Sequence, residues 1–347
     1  MIDNLVRKNI LALKPYSCAR DEFKGQEAHV FLDANESAYN YPLNRYPDPL
    51  QEQLKKSISQ VKGIPSEKIF LGNGSDEAID LVYRIFCEPR VDNVVAIEPT
   101  YGMYKVCADI NDVEYRPVPL SVNYALSADA LLQAVDEHTK VIWICTPNNP
   151  TGNDLDRGEI QKLLTNFKGI VVVDEAYGDF SNLKPMRTYL EYFPRMIVLN
   201  TFSKSWASAA IRLGMAFASE EIIALFNKVK YPYNINLLTQ QAAQDAISQI
   251  IRIERWNKEI RNERQHLIPS LRELSFVEHV YPTSANFVLV KFNDADAIYN
   301  YLMNKGIIVR NRTRVTMCQN ALRITIGSKE ENNELLGALR NYRTSKR

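Results

Sequence analysis

Five short runs of apolar and β-branched residues constrain this chain more than any other feature: 94–97, 141–145, 170–173, 196–199 and 213–218. None shows the polar–apolar alternation of a strand with one wet face. Continuous apolar runs of this length are what a parallel sheet needs when helices cover both its sides. The segments between several of them have helical periodicity. In 76–86, for example, apolar residues fall at 78, 79, 82, 85 and 86, with Ser75 placed to cap the helix and two acids in its first turn. The expectation is an α/β fold whose large domain carries a mainly parallel sheet flanked by helices.

Either side of these runs the texture differs. Residues 1–30 read as an N-terminal arm, with Lys14-Pro15-Tyr16 stopping any helix begun near Leu5, and 50–61 reads as a helix. Residues 70–75 read as a glycine-containing turn. A charge-rich helical stretch spans 237–274, with a break expected before Pro269. Strand candidates at 286–292, 307–310 and 322–326, with helices at 295–305 and 330–342, make a smaller α+β unit. The expected division is therefore the arm, a large cofactor-binding domain at 31–235 and a small C-terminal domain at 236–347.

Composition excludes several function classes. Forty-two basic and 41 acidic side chains leave a formal net charge of +1, which gives no general attraction for nucleic acid or anionic lipid. No apolar run approaches the roughly 20 residues that span a bilayer. The first residues lack the regions of a secretory signal, so a cytoplasmic location is expected. The cysteines at 18, 87, 107, 145 and 318 are scattered and read as reduced thiols. The four histidines lack metal-ligand spacing, so no metal is expected.

The chemistry concentrates in Thr201-Phe-Ser-Lys-Ser-Trp-Ala-Ser-Ala-Ala-Ile-Arg-Leu-Gly214. One amine, Lys204, stands among hydroxyls at 201, 203 and 205, with Arg212 eight residues on. An amine nucleophile beside phosphate-binding groups points to a lysine that bonds a phosphorylated aldehyde, the chemistry of pyridoxal phosphate. Such a cofactor works when its pyridine nitrogen stays protonated, and Asp174, ending the run 170–173, is placed to secure that proton. Tyr177 and Asn149, in Asn149-Pro-Thr-Gly152, could reach its 3-oxygen. Ser75 and the free N–H groups of its helix, with Thr201, Ser203 and Arg212, could hold its phosphate. Tyr101 could stack on its ring. Each motif also occurs in ordinary turns. Their order and spacing, with Asp174 thirty residues before Lys204, make them jointly specific.

Taken together, these residues resemble the fold type I pyridoxal-phosphate-dependent aminotransferases, and more narrowly the histidinol-phosphate aminotransferase family. The resemblance runs through Lys14-Pro-Tyr16, Leu32-Asp-Ala-Asn-Glu36, Asn44-Arg-Tyr-Pro-Asp48, Gly74-Ser-Asp-Glu77, Pro99-Thr-Tyr-Gly-Met-Tyr104 and Thr146-Pro-Asn-Asn-Pro-Thr-Gly152. It continues through Asp174-Glu-Ala-Tyr177, the lysine block, Gly306-Ile-Ile-Val-Arg310 and Leu322-Arg-Ile-Thr-Ile-Gly327. It implies Lys204, Asp174 and Tyr101 in catalysis, and Ser75, Asp76, Asn149, Tyr177, Thr201, Ser203 and Arg212 as further cofactor contacts. It also implies that Tyr46 reaches the phosphate from a second subunit, hence a homodimer. Arg323, helped by Arg310, Tyr16 and Asn149, would bind substrate. The implied reaction exchanges an amino group between glutamate and imidazole-acetol phosphate, in histidine biosynthesis. An aromatic or broad-range aminotransferase and a threonine-phosphate decarboxylase are the rivals on this scaffold. A regulator that kept the fold without chemistry fits poorly with so complete a set of catalytic residues. The chain departs from the family at Trp206 and Ala210, and in the loop 311–320, where Arg312 and Arg314 are additional cations.

Overall fold

The structure is a computed structural model that describes residues 2–16 and 29–342; Cys18 lies outside the described residues. Its larger sheet has seven strands: β1 (Ile69–Asn73), β2 (Asn93–Glu98), β3 (Glu114–Pro119), β4 (Thr139–Cys145), β5 (Ile170–Asp174), β6 (Met196–Thr201) and β7 (Leu213–Phe217). They lie in the order β1-β7-β6-β5-β4-β2-β3. Neighbours from β6 through β3 pair in parallel, and only β7 runs against its neighbours.

Both faces of this sheet are dry, which explains the unbroken apolar runs. Ile142, Ile144, Val171, Val173 and Val198 point into one core, and their chain neighbours Val141, Trp143, Ile170, Val172 and Ile197 point into the other. The alternation of side chains along a strand therefore leaves no position for a polar residue. The polar residues appear where the strands end. Asp174 is the last residue of β5, Thr201 the last of β6, and Thr146–Asn149 follow β4.

A second, antiparallel sheet is built from β8 (Val277–Val280), β9 (Phe287–Phe292), β10 (Arg310–Asn311) and β11 (Ala321–Thr325), in the order β10-β11-β9-β8. Helices Ala295–Asn304 and Lys329–Arg340, with the end of Ile250–Arg272, cover it and enclose their own core around Leu271, Val290, Leu302, Ile324 and Leu339. Ala243, on the preceding helix Leu237–Ser248, still belongs to the core of the large sheet.

Three expectations are corrected. Residues 70–73 of the expected turn belong to β1, and the helix after it starts at Gly74, so Ser75 lies inside its first turn; Asn73 is the N-cap and gives no side-chain cap bond. The long helical stretch breaks at Gln249, and Pro269 sits in the last turn of Ile250–Arg272. There the lost N–H costs a single bond near a helix end, while Leu267 and Leu271 on either side are fully buried. The strand expected at 307–310 is confined to Arg310–Asn311. The first residues are docked: Ile2, Val6 and Ile10 pack into the core beside Phe86, and Arg7 pairs with Glu88 at 3.2 Å.

If the two-faced burial of the central strands holds the large unit together, Ile142→Ala should destabilise it by about 2–5 kcal/mol. A urea denaturation midpoint indistinguishable from wild type would contradict this.

Candidate active site

The C-terminal ends of β2, β4, β5 and β6 converge with the start of the helix Gly74–Phe86 on one cavity. Ser75, Asp76, Tyr101, Asn149, Asp174, Tyr177, Thr201, Ser203, Lys204 and Arg212 all line it, and its volume is about 130 Å³. Parallel sheets place functional side chains at this edge because the strand ends open together, with loops free to carry polar groups. A larger cleft of about 710 Å³ opens elsewhere, around Trp206 and the helix Ile250–Arg272.

Asp174 is buried and held rigidly. Its Oδ2 accepts the Tyr104 hydroxyl at 2.7 Å, and its Oδ1 accepts the Ala176 N–H at 2.9 Å. Tyr104 is itself clamped, stacked on Trp143 with ring centroids 4.8 Å apart. Burial raises the Asp174 pKa; the Tyr104 and Ala176 bonds, and the charge of Lys204, oppose that rise. Lys204 moves the other way. Burial lowers its pKa first, and the positive charges of Arg323 and Arg212 lower it further. Its amine therefore gives up its proton more readily than that of an ordinary lysine, which favours a nucleophilic role.

Beside these two groups lies a pocket for an anion. The first-turn N–H groups of Ser75 and Asp76 have no preceding helical carbonyl to accept them. Arg212 comes to the same place: its Nη1 donates to Ser203 Oγ at 3.4 Å, and its carbonyl accepts the Gly74 N–H at 2.7 Å. Two glycines permit this approach. Gly74 has φ +71°, and a Cβ there would meet Arg212 Nη2 at 2.7 Å; on Gly214 a Cβ would fall 2.2 Å from the backbone of Gly74 and Ser75. An uncapped helix terminus, a guanidinium and two hydroxyls match a phosphate. A buried carboxylate and an amine of lowered pKa in the same cavity match a phosphorylated pyridine aldehyde. The donor set fits pyridoxal phosphate.

Asn149 and Tyr177 stand together, with Asn149 Nδ2 3.5 Å from the Tyr177 hydroxyl. Asn149 Oδ1 also accepts Arg323 Nη1 at 2.6 Å, which ties Arg323 to a residue of the cavity lining. The Tyr101 hydroxyl donates to Asp76 at 3.1 Å. Four expected residues do not line the cavity themselves: Arg323, which reaches it through Asn149, and three more distant ones. Tyr16 is exposed, Arg310 is exposed on β10 opposite Arg323, and Tyr46 stacks on Tyr233 at 4.5 Å in a separate cleft.

Two residues escaped the reading of the sequence. Tyr104, inside a quoted motif, carries the bond that fixes Asp174. Asn148, fully buried, bonds Pro99, Thr100 and Thr151, and so ties the loop after β2 to the loop after β4. No signal marked Asn148 apart from the Asn149 beside it. Nor did any mark Tyr104, whose part is a single hydrogen bond across the fold.

A model of the aminotransferase class I and II family matches residues 19–339. The chain belongs to the class I and II aminotransferase family. Among relatives, it is 57% identical over 341 residues to a histidinol-phosphate aminotransferase of Bacteroides thetaiotaomicron, covering 98% of this chain and 99% of that one. Among solved structures, it is similar to the histidinol-phosphate aminotransferase from Clostridium acetobutylicum, at 25% identity and a TM-score of 0.79, over 86% of this chain and 90% of that one. It shares its fold with the histidinol-phosphate aminotransferase from Sinorhizobium meliloti solved with pyridoxal-5'-phosphate, at 22% identity and a TM-score of 0.78, over 86% and 82%. Enzymes of this family use pyridoxal phosphate, the group that the donor set of the cavity fits.

The buried carboxylate gives a pH prediction. With its folded pKa raised above 3.8, Asp174 contributes stability that is full below the unfolded pKa and is lost as pH rises through the folded one. At neutral pH the ionised group burdens the cofactor-free protein. Cofactor-free Asp174→Asn should therefore melt at a higher temperature than wild type at pH 7–8, with the gap closing towards pH 4. An equal or lower melting temperature at neutral pH would refute this.

Proposed function

We propose that this protein is a pyridoxal-phosphate-dependent transaminase. It exchanges an amino group between glutamate with 2-oxoglutarate and L-histidinol phosphate with imidazole-acetol phosphate, a step in histidine biosynthesis. The observation that carries the reading is the single cavity that joins Lys204, Asp174 and the Arg212 anion pocket, with Arg323 bonded to Asn149 of its lining. The high identity to a histidinol-phosphate aminotransferase over nearly the whole chain supports the substrate.

Bound there, pyridoxal phosphate supplies the electron sink for a carbanion at the substrate carbon bearing nitrogen. The chain's residues do the rest. Lys204 would hold the cofactor and, when free, would take the proton from that carbon with its amine, whose pKa is lowered. Asp174 would keep the ring nitrogen protonated through its charge. Asn149 and Tyr177 would bond the ring's 3-oxygen, and Tyr101 would pack against the ring. Thr201, Ser203, Arg212 and the N–H groups of Ser75 and Asp76 hold the phosphate. Arg323 binds the glutamate carboxylate and the substrate phosphate in turn, because a guanidinium fork suits either group. Arg310 and Tyr16 assist it.

The protein is further proposed to act as a homodimer in the cytoplasm, with a large domain at 31–235 and a small one at 236–347; the two sheets support that division. Supporting the dimer, Leu32, Tyr39, Tyr41, Leu43 and Tyr46 are exposed close together in the chain, an apolar surface that a second copy would cover. Tyr46 would then reach the partner's phosphate pocket. No described helix is long and apolar enough to cross a membrane.

Lys204→Ala should lose turnover entirely and the visible absorbance of the bound cofactor with it. The assignment of substrate is tested by assaying the wild type with L-histidinol phosphate and with phenylalanine, each against 2-oxoglutarate, while following carbon dioxide. Preference for L-histidinol phosphate without carbon dioxide release is expected. Preference for phenylalanine, or release of carbon dioxide from threonine phosphate, would replace it with one of the two rivals.

A further inference from the structure

Three guanidinium groups meet at the edge of the small sheet. Arg310 on β10 lies opposite Arg323 on β11, and Arg312 follows β10, its N–H donating to the Ala321 carbonyl at 2.9 Å. No described carboxylate forms an ion pair with any of the three. Arg312 is half-buried, and its Nε is buried without a hydrogen-bond partner. Burial, then the charges of Arg323 and Arg310, push its pKa down to about 10. Holding the half-buried charges of Arg312 and Arg323 near one another is unfavourable unless an anion arrives to join them.

Arg312 lines a cavity of about 300 Å³, separate from the cofactor cavity, and Tyr101 and Asn149 line both. Arg314 and Lys105 add positive charge to its wall. Its one carboxylate, Glu98, accepts the Thr316 hydroxyl at 3.1 Å. Tyr101 and Asn149 therefore stand between the proposed reacting centre and a mainly cationic recess lined by Arg312.

A carboxylate carries one charge and is satisfied by one fork. A phosphate monoester carries about −1.5 to −2 and three strong acceptor oxygens, which one guanidinium cannot saturate. Arg323 has already given one N–H to Asn149. We propose that Arg312 is the residue that makes this site prefer a phosphate monoester over a carboxylate, donating from its unpartnered guanidinium to the substrate phosphate while Arg323 serves both substrates. This rests on the proposed reaction and adds to it the group that discriminates.

The test uses cofactor-loaded protein and the variants Arg312→Gln and Arg312→Lys. In Arg312→Gln the ratio of kcat/KM for L-histidinol phosphate to that for glutamate should fall on the order of 10- to 100-fold, the worth of a charge-assisted hydrogen bond. The loss should lie in KM and not kcat. Inorganic phosphate, titrated calorimetrically, should bind more weakly by a similar factor. Arg312→Lys, which keeps the charge without the fork, should recover part of both and guards against a folding defect in the glutamine variant. An unchanged ratio, or equal losses for both substrates, overturns the inference while leaving the proposed reaction standing. Wild-type protein inert towards L-histidinol phosphate but active on other amino acids overturns both.

Discussion

A carboxylate buried at the end of a central strand is the constraint on which the rest of this molecule depends. Removing an ionised group from water costs several kcal/mol even after the protein relaxes around it. Asp174 sustains that cost through the Tyr104 hydroxyl and the Ala176 N–H, and through the charge of Lys204 nearby. Tyr104 can donate only because Trp143 stacks against it and the helix Met103–Ile110 holds it over the sheet. The arrangement is costly as a structure and useful as chemistry. In the proposed reaction it presents a negative charge to a ring nitrogen that must stay protonated.

The opposite charge is distributed with the same logic. The charges of Arg212, at the anion pocket, and of Arg323, bonded to Asn149, both act on Lys204 and lower its pKa. In the proposed reaction each also has an anionic group to bind. Binding and activation thus use the same cations. The parallel sheet makes this possible because β2, β4, β5 and β6 all end at one edge, so residues far apart in sequence reach the same cavity.

How much of this could be read from the chain follows from burial. The central strands were legible because both their faces are dry, and a run such as Ile170–Asp174 has no other way to fold in a soluble core. The edge strands were not. β3 contains two prolines, at 117 and 119, and alternates in exposure, while β8 is mostly exposed and β10 has two residues. Proline and polar residues are tolerated at edges and carry no strand signal. Lys204, Asp174 and Arg212 were legible through their fixed order after strands. Tyr104 and Asn148 act through other residues, by single hydrogen bonds across the fold, and such contacts leave no pattern in one sequence. Tyr16, Arg310 and Tyr46 were named from the family resemblance, and a single chain does not bring them to the cavity.

The central claim is that this cavity seats pyridoxal phosphate on Lys204. Reduction of the loaded protein with borohydride fixes the cofactor covalently to whichever amine holds it, and peptide mass spectrometry locates it. The account predicts a phosphopyridoxyl group on Lys204 and on no other lysine in stoichiometric amount. Stoichiometric label on another residue, such as the buried Lys62 beside Asp179, would contradict it.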